Sequence, residues 1–343
     1  MSQDTIAAIA TARGRAALAV VRTSGPEAIA VVDGCFRGAD LSAAESHTAH
    51  VGFLVGEDGA DIDQVVATVF RAPNSATGEH VVEVSCHGGD LAPQLTLESL
   101  LDHGARMAEP GEFTERAFLN GKMDLAQAEA VADLIHASST KAHQASLTHL
   151  KGRYSDLLED LREELLNLCS LVELEIDFSD EDVEFADRAR LEDLLDETET
   201  ILQDLLDTYP TGEKLKDGVQ VVIGGRPNAG KSTLLNALVG HDRAIVSETP
   251  GTTRDEIEAE AEIEGVLFRF VDTAGLRDTA DEIEAEGVRR ATESIEAADV
   301  LLYLYDLTVG LDTDEIDFLR GLADSASDVQ PFLIGNKADR APD

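Results

Sequence analysis

The sequence predicts a multidomain α/β protein, and three patterns lead to that fold class. Strand-like and helix-like runs alternate at both ends of the 343-residue chain, a leucine pattern of helical period lies between them, and a glycine-rich loop joins a strand to a helix in the last third. We therefore expect an α/β domain over residues 1–118, a helical domain over 119–217, and a second α/β domain with a mostly parallel sheet over 218–343.

The first domain is predicted from short apolar runs separated by turn signals. Turns are indicated by Pro73-Asn74-Ser75 and by His87-Gly88-Gly89, because proline, asparagine and glycine favour turn conformations. A helix with one apolar face is expected over Pro93–Gly104. The strand-like runs are Ala17–Arg22, Val65–Phe70 and Val81–Cys86.

The second domain carries an apolar stripe of helical period. Its members are three or four residues apart, and the intervening Glu and Asp residues give a solvated face. Such a stripe more often packs in a helical bundle than binds a cofactor, so we expect a bundle. The stripe consists of Leu157, Leu161, Leu165, Leu168 and Val172.

The third domain opens on a strand, a glycine-rich loop and a helix in direct succession. The loop Gly225–Ser232 (G-R-P-N-A-G-K-S) lies between the strand-like run Val219–Gly224 and the helix-like run Thr233–Val239. Glycines let backbone N–H groups converge on one anion, and the helix amino terminus adds partial positive charge. Lys231 would reach the terminal phosphates and Ser232 would ligate magnesium. The pattern predicts a P-loop that binds a nucleoside triphosphate with Mg²⁺.

Two later segments narrow the nucleotide to GTP. The strand-like run Phe268–Val271 ends in Asp272-Thr273-Ala274-Gly275, where the Asp can hold magnesium through water and the Gly N–H can approach the γ-phosphate. The strand-like run Pro331–Gly335 is followed by Asn336-Lys337-Ala338-Asp339. The Asp339 carboxylate can accept two hydrogen bonds from guanine. Adenine leaves that carboxylate unpaired, and a site of this kind rejects the wrong ligand by roughly 10⁴-fold.

The group that positions the attacking water is not evident from these motifs. Leu276 stands where many small GTPases have a Gln that orients this water, and Leu cannot do so. A carboxylate of the acidic stretch 278–286 is one candidate, and a solvated acidic loop is the other interpretation. Arg254 and Arg277 can each be an arginine finger, an ion-pair partner or a surface residue. A monovalent cation held near Asn228 is another way to supply a finger's charge.

The charge balance is strongly acidic. The chain has 27 Lys and Arg against 68 Asp and Glu, a net charge of −41, and the acidic residues are spread over all three predicted domains. A diffuse carboxylate surface with few Lys fits a salt-loaded cytoplasm, where ions screen self-repulsion, so we expect a halophilic source. The same surface lacks the basic face typical of nucleic-acid binders, so an RNA contact would draw its cationic surface mainly from a partner.

Membrane insertion, secretion and cysteine-based metal sites are not indicated. The sequence has no 18-residue apolar window and no basic-then-apolar signal region at its amino terminus. Cys35, Cys86 and Cys169 are widely spaced and form no C-x-x-C pair. A reducing, cytoplasmic location fits best.

Over its whole length the chain resembles the MnmE (TrmE) family of tRNA-modifying GTPases. The matching nucleotide segments are Gly225–Ser232, Gly251–Asp255 (G-T-T-R-D), Asp272–Arg277 (D-T-A-G-L-R) and Asn336–Asp339. Segments outside the third domain are also particular to this family. They are Asp4–Ala8, His87–Gly89, Pro110–Lys122 (P-G-E-F-T-E-R-A-F-L-N-G-K) and Asp124–Ala130.

The resemblance implies a role for each matched position in nucleotide chemistry. It implies Lys231, Asn228 and Glu284 as catalytic residues, with Glu284 organising the attacking water. Magnesium would be held by Ser232 and Thr253, and potassium by Asn228, Ser247, Thr249 and Thr252. The implied GTP-binding residues are Asn228, Ala229, Gly230, Lys231, Ser232, Thr233, Ser247, Thr249, Thr252, Thr253, Asp272, Thr273, Ala274, Gly275, Asn336, Lys337 and Asp339.

The resemblance also implies that the first domain binds a one-carbon folate, 5-formyl-tetrahydrofolate, and dimerises. Arg22, Glu83 and Lys122 fall on the matching positions. Arg22 and Lys122 can meet folate carboxylates or carbonyls, and Glu83 can accept hydrogen bonds from pterin N–H groups. The alternative for each is an ordinary surface or interface charge. The domain would have a fold similar to aminomethyltransferases.

The function implied by the resemblance is a potassium-activated GTPase that modifies carbon 5 of the tRNA wobble uridine together with the flavin-dependent protein MnmG. One rival hypothesis is a ribosome-assembly or signalling switch without modification chemistry, and another is a folate aminomethyltransferase with a fused regulatory GTPase. We expect the family's C-terminal helical segment with its C-x-G-K motif to be missing after Asp343. We also expect the later loop that backs the guanine base to be missing. Without the helical segment the apolar stripe would be partly uncovered, and without the loop guanine binding would be weaker.

Overall fold

The computed structural model describes residues 4–177, 188–241, 259–272, 294–295, 297–324 and 329–340. The chain divides into two compact units, the first built from 1–132 and 149–155 and the second from 133–148 and 156–343. Each unit contains one β-sheet with helices, as expected for the predicted multidomain α/β class. Among the helices described, none combines the length and the apolar character needed to cross a membrane.

The first unit is organised around a seven-stranded sheet of spatial order β3-β4-β5-β6-β2-β1-β7. Neighbouring strands run antiparallel, except that β7 runs parallel to β1. The strands are β1 (Ile6–Ile9), β2 (Leu18–Ser24), β3 (Phe36–Arg37), β4 (Thr48–Val55), β5 (Asp61–Phe70), β6 (Val81–His87) and β7 (Arg106–Met107). The helices that lie wholly in this unit are α1 (Ala28–Cys35), α2 (Ala92–Asp102) and α3 (Glu112–Leu119).

One face of this sheet is buried and the other is open. Val65, Ala67 and Val69 of β5 are at most 1% exposed and belong to one core cluster with Leu100 of α2. Val66, between two of these residues, is 36% exposed. Because successive side chains of a strand point to opposite faces, the sheet buries one set of alternate residues and presents the other set on its open face.

A buried arginine fixes α3 to the start of the chain. Arg116 is 4% exposed, and its guanidinium donates to the main-chain carbonyl of Asp4 at 2.9 Å and to the Glu112 carboxylate at 2.9 Å. A hydrogen bond from Arg106, followed by those from the Glu109 amide and Arg116, outweighs burial and lowers the pKa of Glu112 to about 2. The ionised carboxylate therefore joins two arginines and sets the position of α3.

Four helices follow the first sheet, as predicted for the middle of the chain. They are α4 (Leu125–His136), α5 (Thr140–Leu150), α6 (Arg153–Asp177) and α7 (Arg188–Asp217). The predicted leucine stripe lies on α6. Leu168 of this stripe is 5% exposed, whereas Leu157 is 40% exposed, so the apolar face is covered at one point and open at another.

The second unit contains a five-stranded sheet of spatial order β12-β11-β8-β10-β9. All neighbours are parallel except the antiparallel pair β9 and β10, which confirms the predicted mostly parallel sheet. The strands are β8 (Val219–Gly225), β9 (Ala259–Ile263), β10 (Val266–Asp272), β11 (Val300–Asp306) and β12 (Gln330–Asn336). The described helices after α7 are α8 (Lys231–His241), which begins two residues before the predicted helix-like run, and α9 (Thr313–Asp324).

The interior strands β8, β10 and β11 of the parallel sheet contribute side chains to a core on each face. Val222 and Leu301 belong to the core on one side, and Ile223, Phe270 and Leu304 belong to the core on the other. Burial on both faces explains why these strands are nearly continuous apolar runs in the sequence. The carboxyl ends of β8, β10, β11 and β12 meet at one edge, and that edge is where ligands bind in open α/β sheets.

Candidate functional site

The glycine-rich loop lies at the carboxyl end of β8 and leads directly into α8. Gly225, Asn228 and Gly230 have positive φ angles of 130°, 63° and 110°. A Cβ atom on Gly225 would lie 2.2 Å from the carbonyl oxygen of Leu304 in β11, so a side chain cannot be accommodated there. The loop thus curls at the sheet edge in the way that an anion-binding loop requires.

Lys231 is the first residue of α8 and is 8% exposed. Its ammonium group donates to the carbonyl oxygens of Gly225 at 3.0 Å and Arg226 at 3.1 Å. These contacts hold the cation within the loop, next to a helix amino terminus that also favours an anion. Ser232 and Thr233 follow and are exposed. A hydroxyl oxygen such as that of Ser232 is the ligand type that Mg²⁺ prefers.

The segment predicted to read guanine contacts the predicted phosphate loop, Gly225–Ser232. Asn336, the last residue of β12, donates from Nδ2 to the carbonyl oxygen of Ala229 at 2.7 Å. A Cβ atom on Gly230 would lie 2.1 Å from the same Nδ2. The two segments are 107 residues apart in the chain, and the parallel sheet brings them together at its carboxyl edge.

Lys337 and Asp339 continue the chain from this contact. Lys337 has a φ of 61°, and its ammonium pairs at 2.7 Å with Asp306, the last residue of β11. Hydrogen bonds from Lys337, followed by those from Thr308, hold the pKa of Asp306 at about 2. Asp339 lies in the 3-10 turn Ala338–Arg340, with its side chain 76% exposed. Its carboxylate is therefore open to a ligand.

Part of the predicted nucleotide site lies outside the described residues. Glu284 and the rest of the acidic stretch belong there, as do Leu276, Arg254 and Arg277. Asp272 ends β10 in parallel register with Ile223, so its backbone reaches the same sheet edge as the phosphate loop. The other predicted site residues outside the described ranges are Ser247, Thr249, Thr252, Thr253, Thr273, Ala274 and Gly275.

Sequence reasoning missed one side chain of the loop, that of Arg226. Its Nε donates to Oε1 of Glu315 at 2.9 Å, and its Nη2 donates to Oε2 of Glu315 at 2.7 Å. Nη2 also contacts the Asp312 carboxylate. Asp312 and Glu315 have the spacing of a helix-capping pair, which is a signal visible in the sequence. The capping pattern predicts where the two carboxylates lie, but it does not predict that Arg226, 89 residues before Glu315, is their hydrogen-bond donor.

Two of the three predicted folate-binding residues form a pair on the first sheet. Arg22 of β2 and Glu83 of β6 are directly opposite each other, and Nη2 of Arg22 lies 2.7 Å from Oε1 of Glu83. The Arg22 guanidinium also lies 5.7 Å from the ring centroid of Phe113 in α3, a cation–π contact. Both charged side chains are about 30% exposed, at 30% and 29%. The pair presents a cation, a carboxylate and an aromatic ring next to one another.

Lys122, the third predicted folate residue, follows α3 in an exposed position. Its ammonium donates to the carbonyl oxygen of Pro73 at 3.2 Å, and its amide donates to the carbonyl of Ala117 at 2.9 Å. The structure therefore brings Arg22 and Glu83 into contact and directs the Lys122 ammonium to a turn carbonyl instead.

Family models match most of this chain, and curated relatives match nearly all of it. The family model described as "GTP-binding protein TrmE N-terminus" matches residues 5–122, and the model described as "MnmE helical domain" matches residues 125–329. The chain is 90% identical over 344 residues to the tRNA modification GTPase MnmE of Salinibacter ruber, covering 100% of this chain and 75% of that protein. It is 48% identical to the protein of the same name from Cytophaga hutchinsonii, covering 99% of this chain and 73% of that protein.

A solved structure is also similar to part of the chain. It is the crystal structure of Aquifex aeolicus Era bound to GDP.AlF4-, with 32% sequence identity. The similarity covers 35% of this chain and 41% of that chain, with a TM-score of 0.28.

Proposed function

This chain belongs to the MnmE (TrmE) family of tRNA modification GTPases, and on that premise we propose that it is a potassium-activated GTP hydrolase that modifies carbon 5 of the tRNA wobble uridine with a flavin-dependent partner, MnmG. The observation that supports nucleotide binding most directly is the 2.7 Å contact between Asn336 and Ala229. It joins the segment that would read guanine to the loop that would hold the phosphates. One guanine nucleotide would span both.

We propose that the ions bind where oxygen ligands surround the phosphate loop. Ser232 would hold Mg²⁺ together with Thr253, because both offer hydroxyl oxygens. Asn228 is exposed at a left-handed position of the loop, and its side-chain oxygen would ligate K⁺. Bound cations would neutralise charge that develops on the phosphates during hydrolysis. The further potassium ligands would be Ser247, Thr249 and Thr252.

Potassium is expected to accelerate GTP hydrolysis at least about tenfold relative to sodium at equal ionic strength. The bound ion would take the place of an arginine finger, whose positive charge accelerates phosphoryl transfer by far more than tenfold. The physical reason is that a cage of oxygens fits one ionic radius better than another. The measurement is the rate of phosphate release in KCl and in NaCl. Asn228→Ala is expected to remove the difference between the salts. Equal rates in both salts for the unaltered protein would contradict the potassium site.

A folate site in the first unit is supported by the Arg22, Glu83 and Phe113 cluster. A carboxylate can accept paired hydrogen bonds from the N–H groups of a pterin, and an arginine can meet a carbonyl or carboxylate. An aromatic ring offers a stacking face to a flat heterocycle. We propose that 5-formyl-tetrahydrofolate or a related one-carbon folate binds here, with Lys122 contributing a second cation.

Glu83→Gln is expected to weaken 5-formyl-tetrahydrofolate binding roughly tenfold or more, because it removes a charge-assisted hydrogen bond. Isothermal calorimetry on the whole chain measures this. The matched control is Asp61→Asn, because Asp61 pairs with Arg37, which lies 5.7 Å from the Phe53 ring centroid in the same unit. This second cluster also combines an arginine, a carboxylate and an aromatic ring, and the Asp61→Asn substitution in it should leave the folate affinity unchanged. No folate binding by the unaltered protein would remove the folate part of the proposal.

The remaining parts of the proposal concern organisation and partners. We propose domains over 1–118, 119–217 and 218–343, dimerisation through the first, and a cytoplasmic location. The net charge of −41 makes tRNA contact by a basic face unfavourable, so the partner would supply most of the cationic surface. The spread of acidic residues over all three proposed domains supports the proposed halophilic source.

A further inference from the structure

The side chain of Arg226 joins the phosphate loop to a different part of the second unit. Its two hydrogen bonds to Glu315, at 2.9 Å and 2.7 Å, form a bidentate pair in which each carboxylate oxygen accepts one N–H. Bidentate arginine–carboxylate contacts fix orientation as well as distance. The pair is partly shielded, since the Glu315 side chain is 12% exposed and that of Arg226 is 40% exposed.

The acceptor side of this contact is held rigidly. The Asp312 amide donates to Oε2 of Glu315 at 2.9 Å, and the Glu315 amide donates back to Oδ1 of Asp312 at 2.9 Å, which is the reciprocal capping box of α9. The hydroxyl of Tyr303 in β11 donates to Oε1 of Glu315 at 2.7 Å. One oxygen of Glu315 is thus held by the amide that precedes α9 and the other by the hydroxyl of a strand residue, so Arg226 pairs with a carboxylate whose position is already fixed.

The main chain of Arg226 sets the position of the phosphate-binding lysine. Its carbonyl oxygen accepts hydrogen bonds from the Lys231 ammonium at 3.1 Å and from the Ala229 amide at 3.2 Å. One residue therefore has its side chain anchored to α9 and its carbonyl bonded to the lysine expected to contact GTP. A rotation or displacement of this residue would move the lysine and the following N–H groups together.

We propose that Arg226 is a positioning residue for nucleotide binding, which acts by anchoring the phosphate loop to Glu315 and Asp312 at the start of α9. This inference rests on the proposed binding of a guanine nucleotide at this loop. The anchor preserves the loop shape before the ligand arrives, so that little ordering is needed on binding. Losing the anchor would weaken GDP and GTP alike, because both place phosphates in the same loop.

The test uses fluorescently labelled GDP titrated into the whole chain, together with steady-state GTP hydrolysis. Arg226→Ala is expected to weaken GDP binding roughly tenfold, the lower end of what a hydrogen bond to a charged group contributes. The KM for GTP should rise by a similar factor while kcat changes by less than about threefold, the pattern of lost uniform binding. Glu315→Gln should have the same direction of effect, and the double variant should lose less than the product of the two.

The matched control is Arg320→Ala on the same helix. Arg320 is 75% exposed and lies 4.0 Å from Asp317, so its loss removes an equal charge without touching the loop. Arg226→Lys keeps the charge but not the bidentate geometry and carries the test if the alanine variant fails to fold. GDP affinity within about twofold of the unaltered protein in Arg226→Ala and Arg226→Lys would overturn this inference. Failure of the unaltered protein to bind GDP or GTP would instead overturn the proposed function.

Discussion

Lys231→Ala is expected to weaken GTP binding by roughly 100-fold, because truncating one partner of a desolvated charge pair costs about 2–5 kcal/mol. The ammonium lies inside the loop, bonded to the carbonyls of Gly225 and Arg226, and is 8% exposed. Because the Lys231 ammonium is already held inside the loop, it would contact the phosphates without a large rearrangement of the side chain. Titration with labelled GTP in KCl and magnesium measures the loss.

The control for this prediction is Lys214→Ala. Lys214 also carries an ammonium in an ion pair, at 3.0 Å from Asp299, but its side chain is 45% exposed. This variant should bind GTP as the unaltered protein does. Thermal unfolding of both variants separates loss of the site from loss of the fold. Unchanged GTP affinity in a folded Lys231→Ala variant would mean that the loop does not hold the phosphates.

Glu284→Ala is expected to slow GTP hydrolysis about 100-fold or more, the range in which general acid–base groups contribute, with little loss of GTP affinity. The expectation comes from the family resemblance, in which Glu284 organises the attacking water. Leu276 cannot perform that task. Single-turnover hydrolysis, with nucleotide affinity measured separately, distinguishes chemistry from binding.

Neighbouring carboxylates provide the comparison for Glu284. Glu286 belongs to the same acidic stretch, so Glu286→Ala removes an equal charge two residues away and should hydrolyse GTP at the unaltered rate. A large affinity loss in Glu284→Ala would assign Glu284 a structural role. Equal slowing in both variants would attribute the effect to the net charge of the stretch.

Local patterns in the sequence determined the elements of the fold and the ligand class. Val219–Gly225 forms a strand and Lys231–His241 forms a helix. The spacing of the apolar residues and the length of each run are enough to predict these two elements, with bounds correct to within a few residues. Gly225 and Gly230 adopt positive φ angles that few other residues tolerate. Each of these properties depends on a short stretch of chain, which is why the phosphate loop is recognisable without coordinates.

The pairing of charged side chains was decided only by the tertiary structure. Arg226 meets Glu315 across 89 residues, and Arg22 meets Glu83 across 61. The chain has 68 carboxylates, so no local pattern identifies which of them an arginine will meet. Strand order and register make that choice, because they bring distant residues to one edge or face of a sheet. The sequence thus predicts which groups bind the nucleotide, and the packed sheet determines which side chains hold those groups in place.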